Sequence, residues 1–401
     1  MSAKKTCIDH GQIVLPDKIV RGFLLIEGNR IAEIGENDGA RMKKDPGVWY
    51  IDAEDGYVMP GIIDIHSDAL EKEIQPRPNI FFPIDMAFYG LEKKLSASGI
   101  TTMYHSLSLS DDWGVRNKDL VLGMIKSIHS LKNMRSMIHH KIHLRYELTY
   151  LSGMTELEAL IDEESIDYLS YMDHTPGQGQ YQDAETLKNY MMQSYGRMKE
   201  DVEGFLDRTA ESRALIDWPR LMDLAKRAKS KGVRLAFHDD DRNEKIDMLL
   251  ACQGVVSEFP INMETALYAK SKGVSVCVGA PNIVRGQSHN NNLKALDAIA
   301  QHAADIICSD YLPGAMLPAL FRLTWAGIEL TEAVRMVTAN PAKALGIDGE
   351  VGTIEVGKIA DIIIVEEHQD YPVLRKTLVE GKAVYQGDFK VSNRERVEQL
   401  C

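Results

Sequence analysis

The stretch Pro60–Pro78, PGIIDIHSDALEKEIQPRP, decides how the chain is read. It closes an apolar run, Val58 to Ile65, that stops abruptly at His66, Ser67 and Asp68. Positions 66 and 68 are two apart, so on a continuing strand their side chains leave the same face. An imidazole and a carboxylate aimed into one space at a strand end suit a divalent metal such as zinc or manganese. A buried His–Asp hydrogen bond would satisfy the same two groups. The choice turns on whether similar strand ends recur.

They do recur. Short apolar runs alternate with longer helical patterns, as βα units require. The runs are Val58 to Ile65, Thr101 to Ser106, Ile142 to Leu148, Tyr168 to Met172, Arg234 to Phe237, Gly254 to Phe259, Val274 to Val278 and Asp305 to Cys308. Helices are predicted over 83–98, 115–137, 183–210, 217–231, 262–272, 290–301 and 313–325. Eight such units predict an α/β fold, a (β/α)8 TIM barrel, rather than an open doubly wound sheet. No Gly-x-Gly-x-x-Gly cradle follows an early strand, so no dinucleotide site is expected. Strand-rich, short-looped sequence flanks the barrel at both ends. The expectation is a composite β-sandwich from residues 1–58 and 346–401, with a barrel domain at 59–345 inserted between its halves.

The ends of the runs carry the chemistry. They deliver His66 and Asp68, Glu147, Asp173 and His174, His238 with Asp239, Asp240 and Asp241, Glu258, and Ser309 with Asp310. The seventh run is followed by Asn282, Arg285 and Ser288. In a barrel all of these meet at one mouth. So many ionisable groups at the ends of apolar runs are costly unless they pair or bind cations.

Composition narrows the partners. The 401 residues carry 59 acidic and 46 basic side chains, a formal net charge of -13, which argues against nucleic acid and anionic membrane as partners. An anionic small substrate remains compatible, because metals and a few arginines reverse the potential inside a cleft. The five cysteines show no paired spacing, and three of them lie in apolar strand-like runs and read as small buried side chains, which favours a reducing compartment. With no signal-peptide core and no long apolar run, a cytoplasmic location is expected. Barrels of this size often pair, so a homodimer is a candidate state.

The ordered motifs resemble the amidohydrolase superfamily. They are His66-Ser67-Asp68 with Pro76-Arg77-Pro78, Met172-Asp173-His174-Thr175-Pro176-Gly177-Gln178, His238-Asp239-Asp240, Glu258-Phe259-Pro260, Arg285-Gly286 and Ser309-Asp310-Tyr311. Thr338-Ala339-Asn340-Pro341-Ala342 and Gly357-Lys358-Ile359-Ala360-Asp361 resemble its tail signature. Within it the series is similar to the PhnM-type α-D-ribose 1-methylphosphonate 5-triphosphate diphosphatases of phosphonate metabolism. The resemblance implies a distorted metal-bearing barrel beside a small β-sandwich, with Glu147 as an acidic ligand where many members use a carboxylated lysine. Departures surround the ligands: Ala69, Glu73, Asp241-Arg242, and His289-Asn290-Asn291-Asn292.

The expected metal ligands are His66, Asp68, Glu147, His174 and His238, holding one or two divalent ions, zinc first and manganese or iron as alternatives. Asp310 is the expected catalytic base, orienting the attacking water and accepting its proton. Substrate contacts are expected from Arg285, Ser288, Arg77, Asp239, Asp240 and Glu258. His139 and His140 read as surface residues, and His105 as either mouth-facing or packed. The expected reaction is hydrolysis of the triphosphate to a 5-phosphate and diphosphate. The alternative is C–N hydrolysis, as in a cyclic amidohydrolase or deaminase.

Overall fold

The computed structural model describes residues 5–36, 39–179, 184–288, 292–369 and 371–388. His289-Asn290-Asn291 and the tail from residue 389 lie outside them. Strands are numbered along the chain. β1 (Lys5–Val14), β2 (Ile19–Glu27), β3 (Arg30–Gly35), β4 (Val48–Asp52) and β5 (Tyr57–Pro60) come first. Then follow β6 (Ile62–Ser67), β7 (Ile100–Leu109), β8 (His139–Glu147), β9 (Tyr168–Met172), β10 (Arg234–His238), β11 (Val256–Glu258), β12 (Ser275–Gly279) and β13 (Ile306–Cys308). β14 (Ile362–His368), β15 (Tyr371–Val379) and β16 (Lys382–Gln386) end the described chain.

β6 to β13 form one parallel eight-stranded sheet in sequential order. It closes through a parallel bridge between Ser67 and Asp310. The Asp310 amide donates to the His66 carbonyl at 3.0 Å, and the Asp68 amide to the Asp310 carbonyl at 2.6 Å. Closure therefore brings the first and last strand ends side by side. Along β8, Ile142, Leu144 and Tyr146 face the surrounding helices in the large apolar core. Each such fully buried side chain contributes roughly 1.5–3 kcal/mol. The alternate residues face the barrel axis, where Ile63, Tyr104, Tyr168, Ala236, Val256, Cys277 and Ile306 fill the lower layers.

The remaining strands form a second, separate sheet in the order β16-β15-β14-β5-β1-β2-β3, with β4 also on β1. β1 pairs with β4 through residues 5–9 and with β5 through residues 12 and 13, so one strand edge serves two partners. Both termini contribute, because β14 runs antiparallel to β5. Its inner face buries Ile8, Ile13, Leu24, Ile26, Val58, Ile362 and Ile364.

Two readings change here. The run Val58 to Ile65 is two strands: β5 belongs to the terminal sheet and β6 opens the barrel. Gly61 separates them, in a spot where any Cβ would collide with the Thr101 side chain. Hydrophobicity is continuous across the junction because both sheets are buried, so periodicity alone has no signal for the change. Asp68 does not continue a strand either: β6 ends at Ser67 and Asp68 precedes the helix Ala69–Ile74.

Candidate active site

The strand ends converge on a cavity of about 730 Å³ whose lining includes His66, Asp68, Glu147, His174, His238, Asp239, Ser288 and Asp310. The helices Ala184–Tyr195 and Lys199–Arg213 cover it, contributing Leu187, Met191, Tyr195, Phe205, Leu206 and Arg208. Asp239 and Phe259 directly follow β10 and β11, Asp310 lies two residues past the end of β13, and all three adopt left-handed backbone, with φ of 56°, 55° and 57°. Three non-glycine residues in that region carry conformational strain of order 1–3 kcal/mol each, held in place by the surrounding strand ends.

β8 presents a polar column into the barrel: His143, Arg145 and Glu147, spaced two apart. Arg145 is buried and donates to Asp68 Oδ1 at 2.9 Å and to His238 Nε2 at 3.1 Å. Arg116 donates to Asp68 Oδ2 at 3.1 Å and to Glu71 Oε2 at 2.9 Å. Burial alone would raise the Asp68 carboxyl, but the guanidinium groups of Arg145 and Arg116 outweigh it and hold it well below the usual carboxylate range.

Two clusters of two histidines and one carboxylate lie in the barrel, His174/His238/Asp239 at the mouth and His66/His143/Glu258 beneath. In the mouth cluster, Asp239 Oδ2 is 3.2 Å from His238 Nδ1 and 3.9 Å from His174 Nε2. Glu147 Oε2 lies 3.0 Å from His174 Nδ1. Burial pushes the His238 imidazole down to about 4, keeping it neutral. His238 Nδ1 and Asp239 Oδ2 are buried and have no partner but each other. The lone pairs left on Asp239, Glu147 and His174 beside the cavity are what a divalent cation would satisfy.

The deeper cluster is hydrogen-bonded internally. Glu258 accepts from Tyr168 at 3.0 Å and from Ser170 at 2.8 Å. His143 is bonded to Ser106 through Nδ1 at 3.0 Å and to Ser170 through Nε2. His66 Nδ1 lies 3.2 Å from Glu258 Oε2. Burial would raise the Glu258 carboxyl, but the His66 and His143 imidazoles outweigh it and hold it well below its ordinary value.

Asp310 lines the cavity next to Asp68. Burial, with the negative charge of Asp68, pushes its carboxyl up to about 7. Asp240 points elsewhere: it is fully buried and accepts from Ser257 at 2.5 Å. Glu258 sits beneath His66 rather than on the cavity wall. Arg285 and Arg77 are exposed and outside the lining. His140 is buried rather than on the surface, bonded at 3.1 Å to Glu92 and at 2.8 Å to His105, which takes the packed option against Phe88.

The cationic side chains of the lining are Lys72, Arg116, Arg145 and Arg208. Arg145 and His143 had a legible signal, since both share the period-two face of Glu147. Arg116 and Arg208 had none, because each arrives from outside the strands.

An amidohydrolase family profile matches residues 221–384. The α-D-ribose 1-methylphosphonate 5-triphosphate diphosphatase of Escherichia coli is 30% identical over 384 residues, covering 94% of this chain and all of the relative. Among solved structures, dihydropyrimidinase from Brevibacillus agri superposes with a TM-score of 0.65 at 16% identity, covering 95% of both chains. N-acetylglucosamine-6-phosphate deacetylase from Pasteurella multocida gives 0.63 at 13% identity, covering 94% of this chain and 99% of that one.

Proposed function

We infer, from the premise that this chain belongs to the amidohydrolase family, that it is a metal-dependent hydrolase acting on a phosphoanhydride. The substrate we propose is α-D-ribose 1-methylphosphonate 5-triphosphate, split into the 5-phosphate and diphosphate. The observation that carries this reading is the cavity lining, where Lys72, Arg116, Arg145 and Arg208 surround a histidine–carboxylate cluster. Those cations suit phosphate charges once a divalent ion offsets the six carboxylates of the same lining, Asp68, Asp111, Asp112, Glu147, Asp239 and Asp310. The relative from Escherichia coli, similar along its length, supports the same choice.

His66, Glu147, His174 and Asp239 are the residues that would hold a divalent ion, with His238 set between Asp239 and Arg145. When bound, it supplies a water acidic enough to attack near neutral pH and polarises the phosphoryl oxygen. Asp310 orients the water and takes its proton as the oxygen bonds to phosphorus. The P–O bond to the diphosphate breaks with its electron pair, and the cationic side chains of the lining neutralise that leaving group. Ser288 offers a hydroxyl to a phosphate oxygen from the loop after β12. The covering helices exclude bulk water, which strengthens each of these interactions.

Phosphorus NMR of metal-loaded protein with the triphosphate tests the reading. Equal formation of diphosphate and 5-phosphate is expected. An unchanged spectrum, together with release of ammonia or a carboxylate from an amide panel, would transfer the protein to C–N hydrolysis.

A further inference from the structure

We propose that the Arg145 guanidinium holds the place of a second metal ion, so that this chain binds one divalent cation and completes the site with its own cation. The inference rests on the metal-dependent reading above and concerns how many ions that site takes.

The argument starts from lone pairs. A neutral imidazole has one, and His238 gives its Nε2 pair to Arg145 at 3.1 Å. Asp68 gives one oxygen to Arg145 at 2.9 Å and the other to Arg116 at 3.1 Å. The two groups best placed for a second ion thus already have cationic partners. Asp68 stands two residues after His66, where a neutral imidazole would ligate a metal without neutralising it. A carboxylate there is instead matched to the fork of a guanidinium. Arg145 is 4% exposed, on the inward face of β8 between His143 and Glu147. A buried positive charge of this kind persists only beside carboxylate and imidazole acceptors.

A divalent ion beside Arg145 would meet its repulsion and, in Asp68 and His238, two acceptors already engaged. On the opposite side, Asp239 Oδ2 accepts from His238 Nδ1 at 3.2 Å and faces His174 Nε2 at 3.9 Å, with lone pairs left for an ion. The single ion belongs there, with Glu147 against the far nitrogen of His174. Asp68 is then a positioning residue that holds Arg145, not a metal ligand.

Inductively coupled plasma mass spectrometry on gel-filtered protein, after zinc loading at a hundredfold excess, reads the stoichiometry directly. One zinc per chain is expected in the native protein, and two would overturn the proposal. Arg145→Gln is expected to raise the number to two, and one would overturn it. Should Arg145→Gln fail to fold, Asp68→Asn decides: it retains one zinc with affinity changed less than tenfold if Asp68 serves the arginine, whereas loss of the ion overturns the assignment. Native protein that binds no zinc, manganese or iron would remove the metal-hydrolase reading itself, and this inference with it.

Discussion

The two histidine–carboxylate clusters have the same composition and sit one above the other, yet they differ in what their atoms still need. In the lower one, His143 uses both ring nitrogens on Ser106 and Ser170, and Glu258 uses both oxygens on Tyr168 and Ser170. In the upper one, His238 Nδ1 and Asp239 Oδ2 have no partner but each other, and the cavity begins beside them; of the lower cluster only His66, whose Nδ1 meets Glu258 alone, reaches that cavity. Proximity of ligand-type residues therefore does not distinguish a metal centre from a polar core. Access to the cavity with lone pairs to spare does, because a buried polar group without a partner costs about 1–3 kcal/mol unless something else is meant to meet it.

The contrast breaks most sharply at Asp310. Replacing it with Asn should lower kcat by about 10²–10⁴-fold. Metal content measured on the same preparation should not change, and a variant that turns over normally would remove Asp310 as the base. Next comes a matched pair from the two clusters. His174→Ala should weaken zinc binding by on the order of 100-fold, seen in a chelator competition titration. His143→Ala should keep the zinc but lower stability by about 1–3 kcal/mol in a urea titration, because Ser106 and Ser170 lose a buried partner. If the two variants exchanged phenotypes, the assignment of the clusters would be reversed.

The smallest effect lies outside both clusters, at an imidazole that no cation would engage. His139 makes an ion pair of 3.0 Å with Asp361, at the base of the barrel. Burial would lower the His139 pKa, but the bond to Asp361 outweighs it and raises it. The pair's stabilisation is therefore complete below the unfolded value of about 6.5 and disappears as pH rises through the higher folded value. Urea unfolding of native protein against His139→Gln should differ by no more than about 1 kcal/mol at pH 5.5 and converge by pH 9. An equal difference at both pH values would show that the pair is not titrating.

Several features were legible before any fold was known. Alternating apolar runs and helical patterns predicted the eight parallel strands, and the strands begin or end within a few residues of the runs. His66, Asp68, Glu147, His174, His238 and Asp310 were readable as groups delivered where those runs stop, and all line one cavity. Among the described residues no helix is long and apolar enough to cross a membrane. Other readings changed. Arg285 was chosen for following the seventh strand, but it ends the short helix Ala280–Arg285 and faces outward. Glu258 was grouped with substrate contacts because it ends a strand. Its inward face lies one layer lower, where Tyr168 and Ser170 meet it.

What the sequence determined by itself is the periodicity: which residues face the barrel axis, and where each strand stops. That follows from the two-residue repeat of a strand and from the cost of burying polar groups along an apolar run. What only the tertiary structure decided is the partner of each inward residue. Arg116 reaches Asp68 from 48 positions away and Glu258 reaches His66 from 192 away, the difference of their numbers. Spacing along one strand carries no information about the layer at which another strand's side chain arrives. Charge and hydrogen-bond saturation, which separate ligand from scaffold here, are properties of those layers.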